Sequence, residues 1–414
     1  MSERELFPTR KSIFSNRRFL ALLSGQGISY FGDAIASVAL PILILSVTGS
    51  GFVMGLVGAL ELAPLFVVGL PAGVWVDRWN RRTVMLFADF GRAVFMGIIP
   101  VATLMHIKLM PVVFTVAIAS GILSVFFGAA YTGMIPRIVA PDELGPANGY
   151  FEAVESAAYA LGPAIAGVLT AKIGPSWTLG LDACSFLVSA ISILSLRAYQ
   201  RKRTDSSAVS RDFFAEMRVG FQTVFNDPVL KTITLLWGGN RFVFAALIPT
   251  LTFFILKTLH GSPEQVGIAV SLYAVGSLVG TLVASKIPER DGMATAFCAQ
   301  GMMAVGSTLI ATTQWIPMAF MSAAILGLGE GMVLVIYLTY RVSRVSEQVV
   351  GRVYTITSTA TQGMGALGYI IVGSLLSIWG GHITWIISST LSILGILSSF
   401  VVWKGPFVVR KDVP

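Results

Sequence analysis

Residues 73–82 read Gly73-Val-Trp-Val-Asp77-Arg78-Trp-Asn-Arg81-Arg82, and this basic run sits between two long apolar stretches, 52–76 and 83–105. Ten more stretches of the same kind flank that pair: 19–47, 111–135, 146–171 and 176–196, then 232–256, 264–285, 293–312, 316–340, 353–378 and 383–403. Each is about 20 to 29 residues long, and about 20 residues rising 1.5 Å apiece cross the hydrocarbon of a bilayer. The chain therefore reads as an all-α polytopic membrane protein with 12 transmembrane helices.

The other basic residues keep the same alternation. Of 29 Lys and Arg, all but five fall at the termini or in every second gap between stretches. The N-terminus carries Arg4, Arg10, Lys11, Arg17 and Arg18, and later gaps carry Arg137, then Lys286 and Arg290, then Arg341, Arg344 and Arg352. The opposite gaps hold only Lys108, Lys172 and Lys257, while Arg92 and Arg241 lie inside stretches. Positive charge concentrates in cytoplasmic loops, so both termini are expected in the cytoplasm, with the chain crossing a bacterial-type inner membrane. The net charge of +8 is then an orientation signal and an attraction to anionic membrane lipid, and no nucleic-acid partner is expected. Charged residues are 12% of the chain, against about 25% in soluble domains. Cys184 and Cys298 both fall inside stretches, so no disulfide is expected. The first stretch is too long for a cleaved signal peptide and carries Asp33.

The chain also repeats itself. Shifted by 206, Gly121, Tyr131, Gly145, Ala160-Leu161-Gly162, Gly167 and Gly174 fall on Gly327, Tyr337, Gly351, Ala366-Leu367-Gly368, Gly373 and Gly380. Shifted by 212, Gly49-Ser50, Gly55 and Asp77-Arg78 fall on Gly261-Ser262, Gly267 and Glu289-Arg290. Two six-helix halves in the same order imply a pseudo-two-fold axis along the membrane normal. The chain divides into a cytoplasmic N-terminus (1–18), a first half (19–196), a cytoplasmic linker (197–231), a second half (232–403) and a cytoplasmic C-terminus (404–414). In the linker, Phe213, Phe214, Met217, Phe221, Val224 and Phe225 recur at helical spacing, which predicts an amphipathic helix on the inner membrane face, broken by Pro228.

The run from Gly73 to Arg82 resembles the cytoplasmic loop signature of the major facilitator superfamily (MFS), Gly-x-x-x-Asp-Arg-x-Gly-Arg-Arg, with Asn80 at the second glycine. Asn is the next most permissive residue for a left-handed turn. Gly73 is expected to let two helices approach, and Asp77 to accept from a helix N-terminus or pair with the arginines. The resemblance implies that Gly73, Asp77, Arg78, Arg81 and Arg82 form a cytoplasmic gate. In the fifth stretch Gly149, Ala158, Gly162-Pro163 and Ala166-Gly167 resemble the signature of the superfamily's proton-coupled exporters, with Ala at two glycine positions. Small residues permit tight helix contact there and Pro163 adds a bend. Asn16-Arg17-Arg18-Phe19, Gly32-Asp33, Asp182-Ala-Cys-Ser-Phe186 and Gly351-Arg352-Val353 are similar to the twelve-span exporter branch that includes macrolide efflux proteins and the enterobactin exporter. The implied fold is the MFS fold, with spans 1, 4, 7 and 10 lining a central cavity.

A charge at mid-bilayer costs about 2.5–3.5 kcal/mol on insertion scales, so each one needs a partner or a purpose. Asp89 and Arg92, three residues apart, read as a local pair. Glu152 and Glu155 read as part of the cytoplasmic latch, and Asp182 as a packing or capping residue near the outer end. Asp33, Arg241 and Glu330 fall mid-span in stretches 1, 7 and 10, and Glu61 lies deep in stretch 2. Burial disfavours charge on a carboxyl group and a neighbouring guanidinium favours it. A carboxylate that gains and loses an arginine or a cationic substrate between two states therefore carries protons. On this basis Asp33, Glu61, Arg241 and Glu330 are the candidates for substrate and proton coupling. An inert Asp33–Arg241 salt bridge joining the halves is the competing reading of that pair.

No HExxH, GxSxG, P-loop or dinucleotide fingerprint occurs in a suitable context, so no catalytic residue, cofactor or metal is expected. Together with the resemblance, the reading is a secondary active transporter exporting small amphipathic molecules, drugs or natural products, by proton antiport, and acting as a monomer. A dedicated siderophore or peptide-antibiotic exporter, or a lipid flippase, is the alternative.

Overall fold

The computed structural model describes residues 13–196, 221–288, 291–343, 345 and 350–402, which are overwhelmingly helical, with no strand among them. Helix ends follow from capping chemistry. The Asn16 side-chain oxygen accepts from the backbone N–H groups of Arg18 and Phe19 to start span 1 (Arg17–Thr48), while its amide donates to the Ile138 carbonyl at 2.5 Å. Gly49, at φ 66°, ends that helix, and Ser50 accepts from the Val53 N–H to start span 2 (Gly51–Arg78). Spans 3 to 6 run Arg81–Leu104, Leu109–Thr132, Leu144–Ile173 and Pro175–Leu194. Asp227 accepts from the N–H groups of Val229 and Leu230, and Pro228 takes the first helical position of span 7. Span 7 runs in three pieces, Pro228–Phe244, Leu247–Phe253 and a π-turn, Phe254–Thr258. Spans 8 to 10 are Pro263–Ala284, Gly292–Thr312 and Ile316–Ser343.

Among the described residues, 11 helices are long and apolar enough to cross a membrane. The last, inside Val350–Val402, is broken at Gly380 (φ 74°, ψ −175°) into 350–379 and 381–402, which completes twelve spans. Gly174, its partner in the 206-residue repeat, parts spans 5 and 6 with φ 85° and ψ 157°. One backbone device, open only to glycine, therefore makes the same corner in both halves. The outward faces are apolar: Val67, Phe87 and Ile378 are 74%, 72% and 70% exposed, a surface that suits hydrocarbon rather than water. The amphipathic helix expected in the linker falls mostly outside the described residues; 221–226 is helical, with Phe221 stacked on Phe225 at 4.1 Å.

Spans 1–6 and 7–12 form two lobes, and the lobes meet through the same contact made twice. A methyl group at Gly55 would collide with the Tyr369 carbonyl and lie 3.0 Å from the Gly373 Cα. One at Gly267 would collide with the Pro163 carbonyl and lie 3.0 Å from the Gly167 Cα. The register of 212 carries Gly55 to Gly267, and the register of 206 carries Pro163 to Tyr369 and Gly167 to Gly373. Spans 2 and 11 therefore cross as spans 8 and 5 do, backbone against backbone. Hydrogen bonds from the Phe52 N–H to Ser377 Oγ (2.7 Å) and from the Ala164 N–H to Ser271 Oγ (3.0 Å) reinforce the crossings. Apolar packing of Val38, Ile42 and Ala166 against Leu247, Leu251 and Val270 seals the same end. All of these contacts lie away from the Arg78–Arg82 loop, so the lobes are joined on the face opposite it.

Three local expectations are corrected. Gly73 and Gly149 have open space where a Cβ would stand, so neither mediates close helix approach in this conformation. Asn80 is not left-handed: at φ −73° it is the N-cap of span 3 and accepts from the Arg82 N–H. A capping residue serves there in place of a turn glycine.

Candidate functional site: a charged cavity between the lobes

Below the glycine crossings lies a cavity of about 510 Å³. Asp33, Glu61, Arg92 and Asp182, from spans 1, 2, 3 and 6, form its charged wall. Ser120, Ser124 and Tyr159 add hydroxyls, and Ile248, Pro249 and Tyr369 close it from the second lobe.

Arg92 is held rigidly. Its guanidinium donates to Asp89 one turn earlier in span 3 and lies over the rings of Phe127 (4.5 Å) and Phe186 (4.3 Å). The second oxygen of Asp89 accepts from Ser189 Oγ at 2.6 Å, and that hydroxyl accepts from Gln26 Nε2 at 2.8 Å. The local Asp89–Arg92 pair expected from spacing thus forms, yet Arg92 also reaches the cavity. Asp182 is fully buried; one carboxylate oxygen accepts from Ser185 Oγ at 3.2 Å and the other has no hydrogen-bond partner. A gap at Gly32 brings it to the cavity: a Cβ there would collide with both Asp182 and Ser185. Reading Asp182 as a packing residue captured this contact with span 1 but not the cavity it faces.

The other candidates separate. Asp33 is half-buried and Glu61 exposed on the cavity wall, whereas Arg241 and Glu330 are not among its lining residues. Glu330 accepts from Ser277 Oγ at 2.9 Å, and Tyr273 stands within electrostatic reach of both Glu330 and Arg241. No Asp33–Arg241 salt bridge forms among the described residues, so the competing reading of that pair fails in this conformation. Tyr369 spans the gap, packed on Gly58 and within reach of Glu61 on one side and Arg241 on the other. The repeat explains the split. Its registers carry Glu61 to Tyr273 and Ser124 to Glu330, so each lobe bears one carboxylate where its second and fourth helices meet, on opposite helices. Spans 1, 4 and 7 line the cavity as expected, but span 10 does not, and spans 2, 3, 5, 6 and 11 do.

The loop arginines brace the first lobe. Arg82 donates to the carbonyls of Ile193 (3.1 Å) and Leu194 (2.6 Å) at the C-terminal end of span 6. Arg81 lies against Gly133 at the C-terminal end of span 4. Both place positive charge at negative helix ends. Arg78 is exposed, and Asp77's side chain lies outside the described residues. Of the exporter-type motif, Gly162 packs on Ala34 of span 1, and Pro163 and Gly167 form the crossing with span 8.

Two helical lobes joined at one face, with a polar cavity beneath the junction, define a multi-pass membrane transporter. The chain belongs to the Major Facilitator Superfamily, whose family model matches residues 22–254 and 238–412. It is 28% identical over 394 residues to the multidrug efflux pump Tap of Mycolicibacterium fortuitum, covering 92% of this chain and 94% of that one. It is 24% identical over 267 residues to macrolide efflux protein A of Streptococcus pyogenes (64% and 65% covered) and 23% identical over 382 residues to the enterobactin exporter EntS of Escherichia coli (92% and 89%). In fold it is similar to a bacterial homologue of the lysosomal transporter Spinster solved in an inward-facing conformation, with a TM-score of 0.74 at 15% identity over 95% of this chain and 98% of that one.

Proposed function

We propose that this chain exports small amphipathic molecules from the cytoplasm by proton antiport, alternating between inward-open and outward-open states in a bacterial inner membrane. The observation that carries the reading is the charge imbalance of the cavity. Three carboxyl groups, Asp33, Glu61 and Asp182, line it with a single guanidinium, and that guanidinium is already held by Asp89. Such a wall takes up protons or a cation. Asp33 and Glu61 act in coupling from the first lobe, and Arg241 and Glu330 from the second, connected through Tyr369. Arg78, Arg81 and Arg82, with Asp77 and Gly73, work the cytoplasmic side of the gate. Gly149, Gly162, Pro163 and Gly167 belong to the helix that meets the second lobe on the outer side.

Both termini and the 197–231 linker lie in the cytoplasm in this reading. The face joined by glycine crossings is then external, and the structure is the inward-facing state. No catalytic step is needed and the chain works as a monomer. The test is a susceptibility panel on cells that overproduce the protein, with and without a protonophore. Protection against several unrelated amphipathic compounds, lost with the protonophore, is the expected result. Protection against one compound alone favours a dedicated exporter, and protection unaffected by the protonophore rejects antiport.

A further inference from the structure

We propose that Asp182 on span 6 is a third first-lobe carboxylate of the coupling site, beside Asp33 and Glu61. With Asp33 and Glu61 it exchanges bound protons for an amphipathic cation, beside an Arg92 whose charge Asp89 already holds. The inference rests on the antiport reading and deepens it. It starts from geometry. Asp182 has no exposed surface, faces the cavity and leaves one oxygen without a partner, a costly arrangement for a group used only in packing. Gly32 is the residue that lets it through, and the next residue along span 1 is Asp33. The two carboxyls therefore stand on touching helices at one depth.

The charged and titratable groups within electrostatic reach of this pair are Tyr30 on span 1, Glu61 on span 2, Asp89 and Arg92 on span 3, and Glu155 and Tyr159 on span 5. Arg92 cannot balance them. Its charge is committed to Asp89, and the Phe127 and Phe186 rings fix its position. Asp33 and Asp182 must therefore hold either protons or a cation. In the inward-facing state a cation entering the cavity takes the place of the carboxyl protons, which leave the O–H bonds for cavity water, Asp182 doing so once its buried carboxyl turns into the cavity. In the outward-facing state water outside returns a proton to each carboxylate as the cation departs. Protons move in, the cation moves out, and no other reactant is required.

The test uses detergent-solubilised full-length protein in weakly buffered solution, ethidium as the cation and a pH indicator. Wild-type protein is expected to release protons as ethidium binds, and Asp182→Asn to release about two-thirds as many per ethidium bound, since one of three cavity carboxyls is lost. The amide keeps the acceptor for Ser185, so a role in packing alone predicts unchanged release. Unchanged release overturns the assignment of Asp182 while leaving antiport standing. A wild-type protein that binds ethidium without releasing protons overturns antiport itself, and one that does not bind ethidium overturns the cation reading. A second measurement needs no variant: dicyclohexylcarbodiimide labelling of the wild type, located by mass spectrometry. Adducts on both Asp33 and Asp182, suppressed by ethidium, are expected; labelling at Asp33 without Asp182 contradicts the proposal.

Discussion

At the scale of single residues, the first lobe depends on two arginines doing different work. Arg92 is buried with Asp89, and removing one partner of a buried pair leaves an uncompensated charge at a cost of about 3–5 kcal/mol. Arg92→Ala is expected to lower the melting temperature of the purified protein sharply or to prevent its accumulation, and Asp89→Asn in the same chain to recover part of the loss. Arg82 is nearer the surface, and its two bonds to the end of span 6 are worth about 1.5–3 kcal/mol. Arg82→Ala should lower the melting temperature by less and leave transport measurable. An equal effect of the two substitutions would contradict the assignment of the buried charge to Arg92. The sequence made the Asp89–Arg92 pair legible, because i,i+3 spacing brings the groups together on any helix. It could not show that Asp182 meets the cavity, because that depends on which residue of span 1 faces span 6, and only packing reveals Gly32 there.

At the scale of helices, the glycine crossings decide how the lobes meet. The four glycines involved, Gly55, Gly167, Gly267 and Gly373, had all surfaced as repeat matches. Their spacing did not say that they touch, since a repeat register pairs Gly55 with Gly267 rather than with Gly373. At these crossings the obstacle to a side chain is another helix's backbone, which cannot rotate away as a side chain can. Gly55→Ala and Gly267→Ala are each expected to part the lobes on this face. The effect is measured as faster thiol labelling of a cysteine at Ser377, in a chain with Cys184 and Cys298 replaced by serine. Labelling at the parent rate would show that the crossings do not hold this face shut. The break between spans 11 and 12 was legible to within a few residues, because apolar stretches end where a helix turns. The interruption of span 7 at 245–246 lies one turn before Pro249, whose ring displaces the carbonyl of Ala245, a signal that hydropathy alone does not carry.

At the scale of the whole molecule, one face is closed and the other carries the loop arginines, with the acidic cavity between. Ser50 Oγ and Ser377 Oγ, on opposite lobes, lie 3.2 Å apart at the closed face. A Ser50→Cys/Ser377→Cys pair is expected to cross-link under oxidation and stop transport, with recovery on reduction. Transport that survives a complete cross-link would mean that the lobes need not separate there. Twelve spans and two halves were readable from the chain because bilayer thickness and charge asymmetry constrain sequence directly. The partition of the candidate acids was not, because the two lobes place their carboxylates on different helices and only the assembled cavity tells them apart.

The most direct test of the account is ethidium accumulation in inverted membrane vesicles under an imposed pH gradient, acid inside. Wild-type protein is predicted to accumulate ethidium until a protonophore is added, and Asp33→Asn to abolish gradient-driven accumulation while the protein remains in the membrane. Accumulation by Asp33→Asn at the wild-type rate and with the same gradient dependence would contradict the claim that the acids of this cavity couple proton entry to export.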